Sequence, residues 1–140
     1  MANTGVNSDA QDQGSKIGSP IIYSTPQPAS YPSGAQTYLP ADLLGQIIVH
    51  DGTSGLTATL PTAAQLVGAI PSCRVGDTVE CLIINGANAT GSIVLAAGTG
   101  GSFDTNQGGG SKIIAFGNSK YVNIRVTNST KGSEAYSIYS

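Results

Sequence analysis

The stretch "KYVNIRVTNSTKGSEAYSIY", residues 120–139, decides the predicted fold class because it joins two strand patterns through a turn. Apolar and polar residues alternate in "YVNIRVT", which places Val122, Ile124 and Val126 on one face of a strand. The polar run "NSTKGS" is typical of a hairpin connection, and "EAYSIY" reads as the returning strand. The stretch therefore predicts a hairpin whose first strand buries these three aliphatic side chains.

Further strand-like runs with turn signals between them lie upstream, namely "QIIVHD", "LTATL", "TVECLIIN", "SIVLAA" and "SKIIAF". In "LTATL" the alternation predicts that Leu56, Ala58 and Leu60 face inward. The segment "NGANATG" (85–91) is typical of a hairpin connection, and the glycine-rich segment 97–111 indicates a long mobile loop. About seven short strands spaced in this way predict a mainly all-β fold, an antiparallel β-sandwich or barrel.

One short helix is expected to cap these strands, within "LPTAAQLVGAIP" (60–71). Thr62 and Gln65 have the spacing of a capping box at its start. Apolar residues at helical spacing form one stripe, which consists of Ala63, Leu66, Val67 and Ile70. A single helical turn is also predicted in "TYLPADLLG", with Pro40 at its first position and Gly45 at its end.

The composition changes near Thr37, which divides the chain into an extended N-terminal arm (residues 1–36) and a β-domain (37–140). The arm holds four of the seven prolines and is too polar to fold alone, so residues 1–18 are expected to be flexible and the rest extended. Large apolar side chains nevertheless occur in the arm and at its root. We expect these to contact a neighbouring protein, and the candidates are Ile21, Ile22, Tyr23, Tyr31 and Tyr38.

Low charge excludes one class of partner. Only 10% of the residues are charged, the net charge is −2, and the six basic residues are scattered along the chain. Binding to nucleic acid needs a clustered basic footprint, so no nucleic-acid partner is expected. The sequence shows neither a secretory signal nor an apolar run long enough to span a membrane, which predicts a protein made in the cytoplasm without a membrane partner. Cys73 could face Cys81 across a hairpin and form a disulfide, but two free thiols are the first expectation.

The residues that could carry chemistry are dispersed. His50 is the sole histidine, and its position at a strand end beside a turn predicts a surface or edge residue. Asp77 and Glu80 are a weak pair for calcium and a weaker one for acid-base catalysis. The glycine-rich runs precede a strand, whereas a phosphate-binding loop precedes a helix. We therefore expect no enzyme activity, no catalytic or metal-binding residues, no cofactor and no small-molecule substrate.

Several segments together resemble a family of small proteins of tailed bacteriophages. They are "ADLLGQIIVHD", "LTATLPTAAQLVGAIP", "VGDTVECLIIN", "IVLAAGTG" and "YVNIRVTNSTKGSEAYSIY", and the resemblance runs from about Tyr38 to Tyr139. Members of that family are capsid decoration (cement) proteins or related head-surface modules. The resemblance implies a virion structural protein on the outer surface of a phage head, bound to the major capsid protein as a homotrimer. It supplies no active-site residues, and it does not cover the arm.

Two other functions compete with this expectation. A head-fibre or tail-fibre module would bind a host-surface glycan or receptor, but the chain has no Trp and only two Phe, so it offers few aromatic platforms. A subunit of a bacterial surface fibre would need a secretory signal, which the N-terminal sequence does not show. The decoration protein is therefore the first expectation.

Overall fold

Short strands dominate the structure, a computed structural model that describes residues 28–31, 34–51, 54–86, 91–106 and 112–140. Within these residues, 45% lie in strands and 13% in helices. The elements in chain order are β1 Ala29–Tyr31, β2 Gln36–Thr37, α1 Pro40–Leu44, β3 Ile47–His50, β4 Leu56–Thr59, α2 Ala63–Ala69, β5 Thr78–Asn85, β6 Ile93–Ala96, β7 Gly101–Phe103, β8 Ile113–Ile114, β9 Ser119–Asn128 and β10 Ala135–Tyr139.

The strands form two sheets, and the chain alternates between them. The large sheet has the order β1-β3-β5-β9-β10-β7, and the small sheet has the order β2-β4-β6-β8. From β1 to β8 each strand lies in the opposite sheet from the one before it, and helices α1 and α2 occupy the connections that return from the small sheet to the large one. Only β9 and β10 follow one another within the same sheet.

This winding makes the predicted antiparallel sandwich or barrel wrong, because the fold is mixed α/β with mixed sheets. From β1 to β6 the chain completes a full turn before it re-enters a sheet, so the next strand there runs in the same direction. The neighbours β1, β3 and β5 are accordingly parallel, as are β2, β4 and β6. Antiparallel pairing is confined to the contacts of β5 with β9, β9 with β10 and β6 with β8.

Of the two predicted hairpins, one is confirmed and the other is wrong. The connection "NSTKGS" joins β9 to antiparallel β10, so the predicted hairpin is confirmed. The predicted hairpin at 85–91 is wrong, because it connects β5 of the large sheet to β6 of the small one. The segment 97–111 is not all loop either: residues 101–103 form β7, which pairs with β10 and gives the large sheet its far edge.

Both helical segments begin where their start signals place them. In α2, the Thr62 side chain accepts a hydrogen bond from the backbone of Gln65, and the Gln65 side chain accepts one from the backbone of Thr62, which confirms the capping box. Helix α1 begins at Pro40 and is capped by Gly45, as predicted. Ala63 and Leu66 are the buried members of the α2 stripe, so this short helix is held by packing against the sheets.

A single apolar core fills the space between the sheets. The predicted inward residues Leu56, Ala58 and Leu60 lie in it. Val122, Ile124 and Val126 of β9 are fully buried, which confirms the register inferred from the alternation. The two cysteines are free thiols, with Cys81 buried on the inner face of β5 and Cys73 half-buried.

The end of the arm belongs to the sheets. Strand β1 pairs in parallel with β3 and forms one edge of the large sheet, and β2 pairs in parallel with β4 at the edge of the small sheet. The last residues of the arm are thus hydrogen-bonded to the β-domain. Among the described helices, none has the length and apolar character needed to cross a membrane.

Candidate functional site

A buried cluster of aromatic and polar side chains fixes the arm to the domain. Three rings face one another, those of Tyr31 on β1, Tyr38 after β2 and His50 on β3, with centroids 5.5 to 5.6 Å apart in each pair. Asp42 on α1 completes the cluster, which we name the arm root. The arm root therefore joins β1 of the arm to three parts of the domain, namely the loop after β2, helix α1 and strand β3.

Hydrogen bonds hold the arm root in place. The Tyr31 hydroxyl donates to Asp42 Oδ2 over 2.5 Å, and the same oxygen accepts the backbone N–H of Leu39 over 2.7 Å. The Tyr38 hydroxyl lies 2.5 Å from His50 Nε2. A backbone bond from Asp51 N to Tyr31 O, 3.1 Å long, extends the pairing of β1 with β3. Hydrogen bonds to a charged acceptor are among the stronger ones in proteins, so Asp42 is the main anchor of Tyr31.

Burial keeps this cluster uncharged apart from Asp42. Burial, followed by the hydrogen bond to Asp42 and its charge, raises the pKa of Tyr31 to about 12. Burial also raises the pKa of Tyr38 and lowers the pKa of His50. At neutral pH both tyrosines therefore keep their protons, and Tyr31 remains a donor to the Asp42 carboxylate.

The structure places the interface candidates in different positions. Ile21, Ile22 and Tyr23 lie outside the described residues, so their contact with a neighbour stays a prediction. Tyr31 is half-buried and faces Asp42 and His50. Tyr38 is only 1% exposed and is part of the core of its own chain.

His50 departs furthest from its predicted position. It is 1% exposed, so the expectation of a surface or edge position is wrong. A signal was present: in "QIIVHD" the strand period of two puts His50 on the same face as Ile48, which is fully buried. The same reasoning applies to Asn85, which is in phase with Cys81 and Ile83 and is buried, with its amide donating to the carbonyls of Gly91 and Ile114.

The arm root has the chemistry of a structural anchor. In the part of the chain that the structure describes, no three His, Cys, Asp or Glu side chains are grouped so that they could hold a metal ion. No family model, curated protein or solved structure matches this chain.

The buried His50 predicts that acid destabilises the protein. Among the described residues its Nδ1 has no hydrogen-bond partner, so an imidazolium would leave a buried N–H unpaired. Because the pKa of His50 is lowered in the fold, the unfolded chain binds more protons once the pH falls below about 6.5. The free energy of unfolding should therefore fall by up to about 1.4 kcal/mol per pH unit below that point.

Urea unfolding at pH 7.5, 6.5 and 5.5 measures this effect. The raised pKa values of Tyr31, Tyr38 and Cys81 lie far from this range, so His50 is the group of the cluster whose titration should be seen. The His50→Gln variant, which cannot titrate, should lose most of the pH dependence. An equal slope in His50→Gln and in the native chain would contradict the assignment.

Proposed function

We propose that this chain is a virion structural protein, a decoration protein that binds the outer surface of a phage head and stabilises contacts between major capsid protein subunits. In this proposal the β-domain is the rigid body and the arm is the strap that reaches a neighbour. The resemblance over residues 38–139 is the first support, and the weakly charged composition is the second. Both suit a protein that packs against copies of itself and against the capsid shell.

The observation that carries the proposal is the attachment of the arm at a sheet edge. Strand β1, which is part of the arm, is the edge strand of the large sheet, and residues 1–28 of the arm precede it in the chain. Tyr31 at the end of β1 is anchored to Asp42 and packs against His50. A contact made by the arm is thereby transmitted to the sheet, which a strap between subunits requires.

The edge also offers a way to bind. An extended segment can extend an exposed sheet edge through backbone hydrogen bonds, with affinity from the main chain and specificity from alternate side chains. The partner would be the major capsid protein or another subunit of a homotrimer. For residues 1–18, which the sequence predicts to be flexible, the ordering entropy would then be lost only on docking.

Replacing the apolar residues of the arm should therefore weaken attachment. In the full chain we expect Ile21→Ser, Ile22→Ser and Tyr23→Ser together to reduce affinity for undecorated capsids by at least about tenfold. Each of these side chains is worth roughly 1–2 kcal/mol when it is buried at an interface, and 1.4 kcal/mol corresponds to a factor of ten. Cosedimentation with purified capsids measures the affinity, and light scattering measures the oligomeric state.

A matched control carries the same number of serines in polar positions of the arm, Asn7→Ser, Gln11→Ser and Gln13→Ser. It should bind as the native chain does. A loss of trimer without loss of monomer folding would assign the arm to a trimer mate, and weaker capsid binding by an intact trimer would assign it to the shell. If the apolar triple variant keeps both native occupancy and native assembly, the strap proposal is wrong.

A further inference from the structure

A second feature lies on the outer face of the large sheet, away from the arm root. The side chains that point outward from β3, β5 and β9 leave a shallow groove of about 510 Å³, lined by Gln46, Ile47, Thr78, Glu80, Leu82 and Tyr121. Ile47, Leu82 and Tyr121 are neighbours across the three strands, because Leu82 pairs with both Ile47 and Tyr121. This volume lies within the range of roughly 300–1,000 Å³ that is usual for ligand sites.

The groove combines an exposed aromatic ring with hydrogen-bonding groups. Tyr121 is 58% exposed although it lies in the middle of the large sheet. Glu80 lies on the neighbouring strand β5, and its Cα partner is Asn123, two residues along β9 from Tyr121. Within the described part of the chain, no hydrogen bond or ion pair engages the side chain of Glu80 or of Gln46. An apolar ring surface and free polar groups are therefore presented side by side.

Gln46 lines the rim of the groove and directly follows the end of helix α1. Its φ of +75° lies in the left-handed region, which costs free energy for any residue with a Cβ, and glycine would occupy it without strain. Its carbonyl accepts the backbone N–H of Leu82 over 2.7 Å, a bond that glycine could make equally well. A left-handed residue just after the cap is a common way to end a helix, so the fold needs this backbone conformation and does not depend on the amide side chain for it.

We propose that this groove binds a neutral pyranose of a short oligosaccharide. The C–H face of the sugar ring would lie on Tyr121, whose ring provides a flat amphipathic surface. The Glu80 carboxylate would accept hydrogen bonds from sugar hydroxyls, and the Gln46 amide could both donate and accept. This site is independent of the proposed attachment to a capsid, and either proposal can fail without the other.

The charge and polarity of the lining favour a neutral sugar over other occupants. A protein surface would have to supply a basic partner for Glu80, and charged groups are depleted in the cores of protein interfaces. A purely apolar ligand would desolvate the three polar side chains Gln46, Thr78 and Glu80 without replacing their hydrogen bonds. A phosphate or an acidic sugar would meet the negative charge of Glu80. Sugar hydroxyls satisfy these groups and leave the face of the ring for Tyr121.

Amide chemical shifts of the full chain, titrated with maltotriose, cellotriose and N,N′,N″-triacetylchitotriose to about 50 mM, test this proposal, since they detect a Kd in the millimolar range. At least one of the three sugars should shift the amides of Glu80, Leu82 and Tyr121. Affinity for that sugar should fall at least tenfold in Tyr121→Ala and in Glu80→Gln. Tyr139→Ala is the matched control, because Tyr139 is also an outward tyrosine of the large sheet, 37% exposed, and does not line the groove.

Gln46→Gly separates binding from folding. It should raise the melting temperature or leave it unchanged, because glycine relieves the strained backbone, while affinity for the sugar falls at least threefold. The proposal is overturned if none of the three sugars shifts the groove amides. It is also overturned if Tyr121→Ala retains native affinity, or if Tyr139→Ala loses as much affinity as Tyr121→Ala.

Discussion

Replacing Ile124 by aspartate is expected to unfold the protein. Ile124 is fully buried at the centre of β9, where its Cα partners are Val79 of β5 and Ile138 of β10. A carboxylate there has no partner in a solely apolar layer, so it must either remain charged in the core or take up a proton at a cost. The loss should be about 4 kcal/mol or more, a large part of the roughly 5–15 kcal/mol that stabilises a typical domain.

Two further variants make the result interpretable. Ile124→Ala removes the packing without adding a charge and should cost about 2–5 kcal/mol, which urea unfolding can measure even if the aspartate variant does not fold. Thr127→Asp places the same carboxylate on the exposed face of the same strand and should change stability by about 1 kcal/mol or less. Similar losses in Ile124→Asp and Thr127→Asp would show that the assigned faces of β9 are wrong.

Replacing Gly101 by alanine should also destabilise the protein strongly, although only one methyl group is added. A Cβ at Gly101 would overlap two ring carbons of Tyr136 and lie 2.5 Å from its hydroxyl oxygen. The ring cannot move aside, because its hydroxyl donates to Pro61 O over 2.8 Å and accepts from Gly98 N over 3.0 Å. Overpacking combined with weakened hydrogen bonds should cost about 2–4 kcal/mol in the free energy of unfolding.

Gly68→Ala is the matched control for this change. A Cβ at Gly68 meets nothing within 4 Å, and the residue is an exposed position of α2, so alanine should stabilise the protein by up to about 1 kcal/mol. A double variant with Tyr136→Ala should make Gly101→Ala much less costly than it is in the native background. If both glycine substitutions changed the melting temperature by the same small amount, the packing of β7 against Tyr136 would be refuted.

The sequence predicts the local elements well because their signals are local. The capping box of α2, the alternation in β9 and the polar turn before β10 each involve residues a few positions apart, and each is confirmed. The pairing of the strands depends on which sheet each connection enters. A polar segment such as 85–91 can close a hairpin or cross to the opposite sheet, and its composition is the same in both cases. That ambiguity is why the parallel winding could not be predicted.

The arm root could not be predicted from the sequence for a different reason. Residue type alone predicts Tyr38 as an interface aromatic and His50 as a surface histidine, because both types are common at surfaces. Their mutual contact compensates for burial, since each supplies the other with a polar partner inside the core. Twelve positions separate them in the chain, so the partner of each cannot be identified before the strands are placed. The groove around Tyr121 cannot be identified from the sequence either, because residues of three separate strands line it.

The central claim, that this chain decorates the outside of a phage head, is tested most directly by cryo-electron microscopy of capsids that carry the protein. We expect density for the two-sheet domain on the outer surface, at the junctions between major capsid protein subunits and in groups of three. The chain before Ala29 should continue from the edge of the large sheet onto a neighbouring subunit. Capsids with no such density outside the shell, or with the protein found only in the tail or fibres, would contradict the claim.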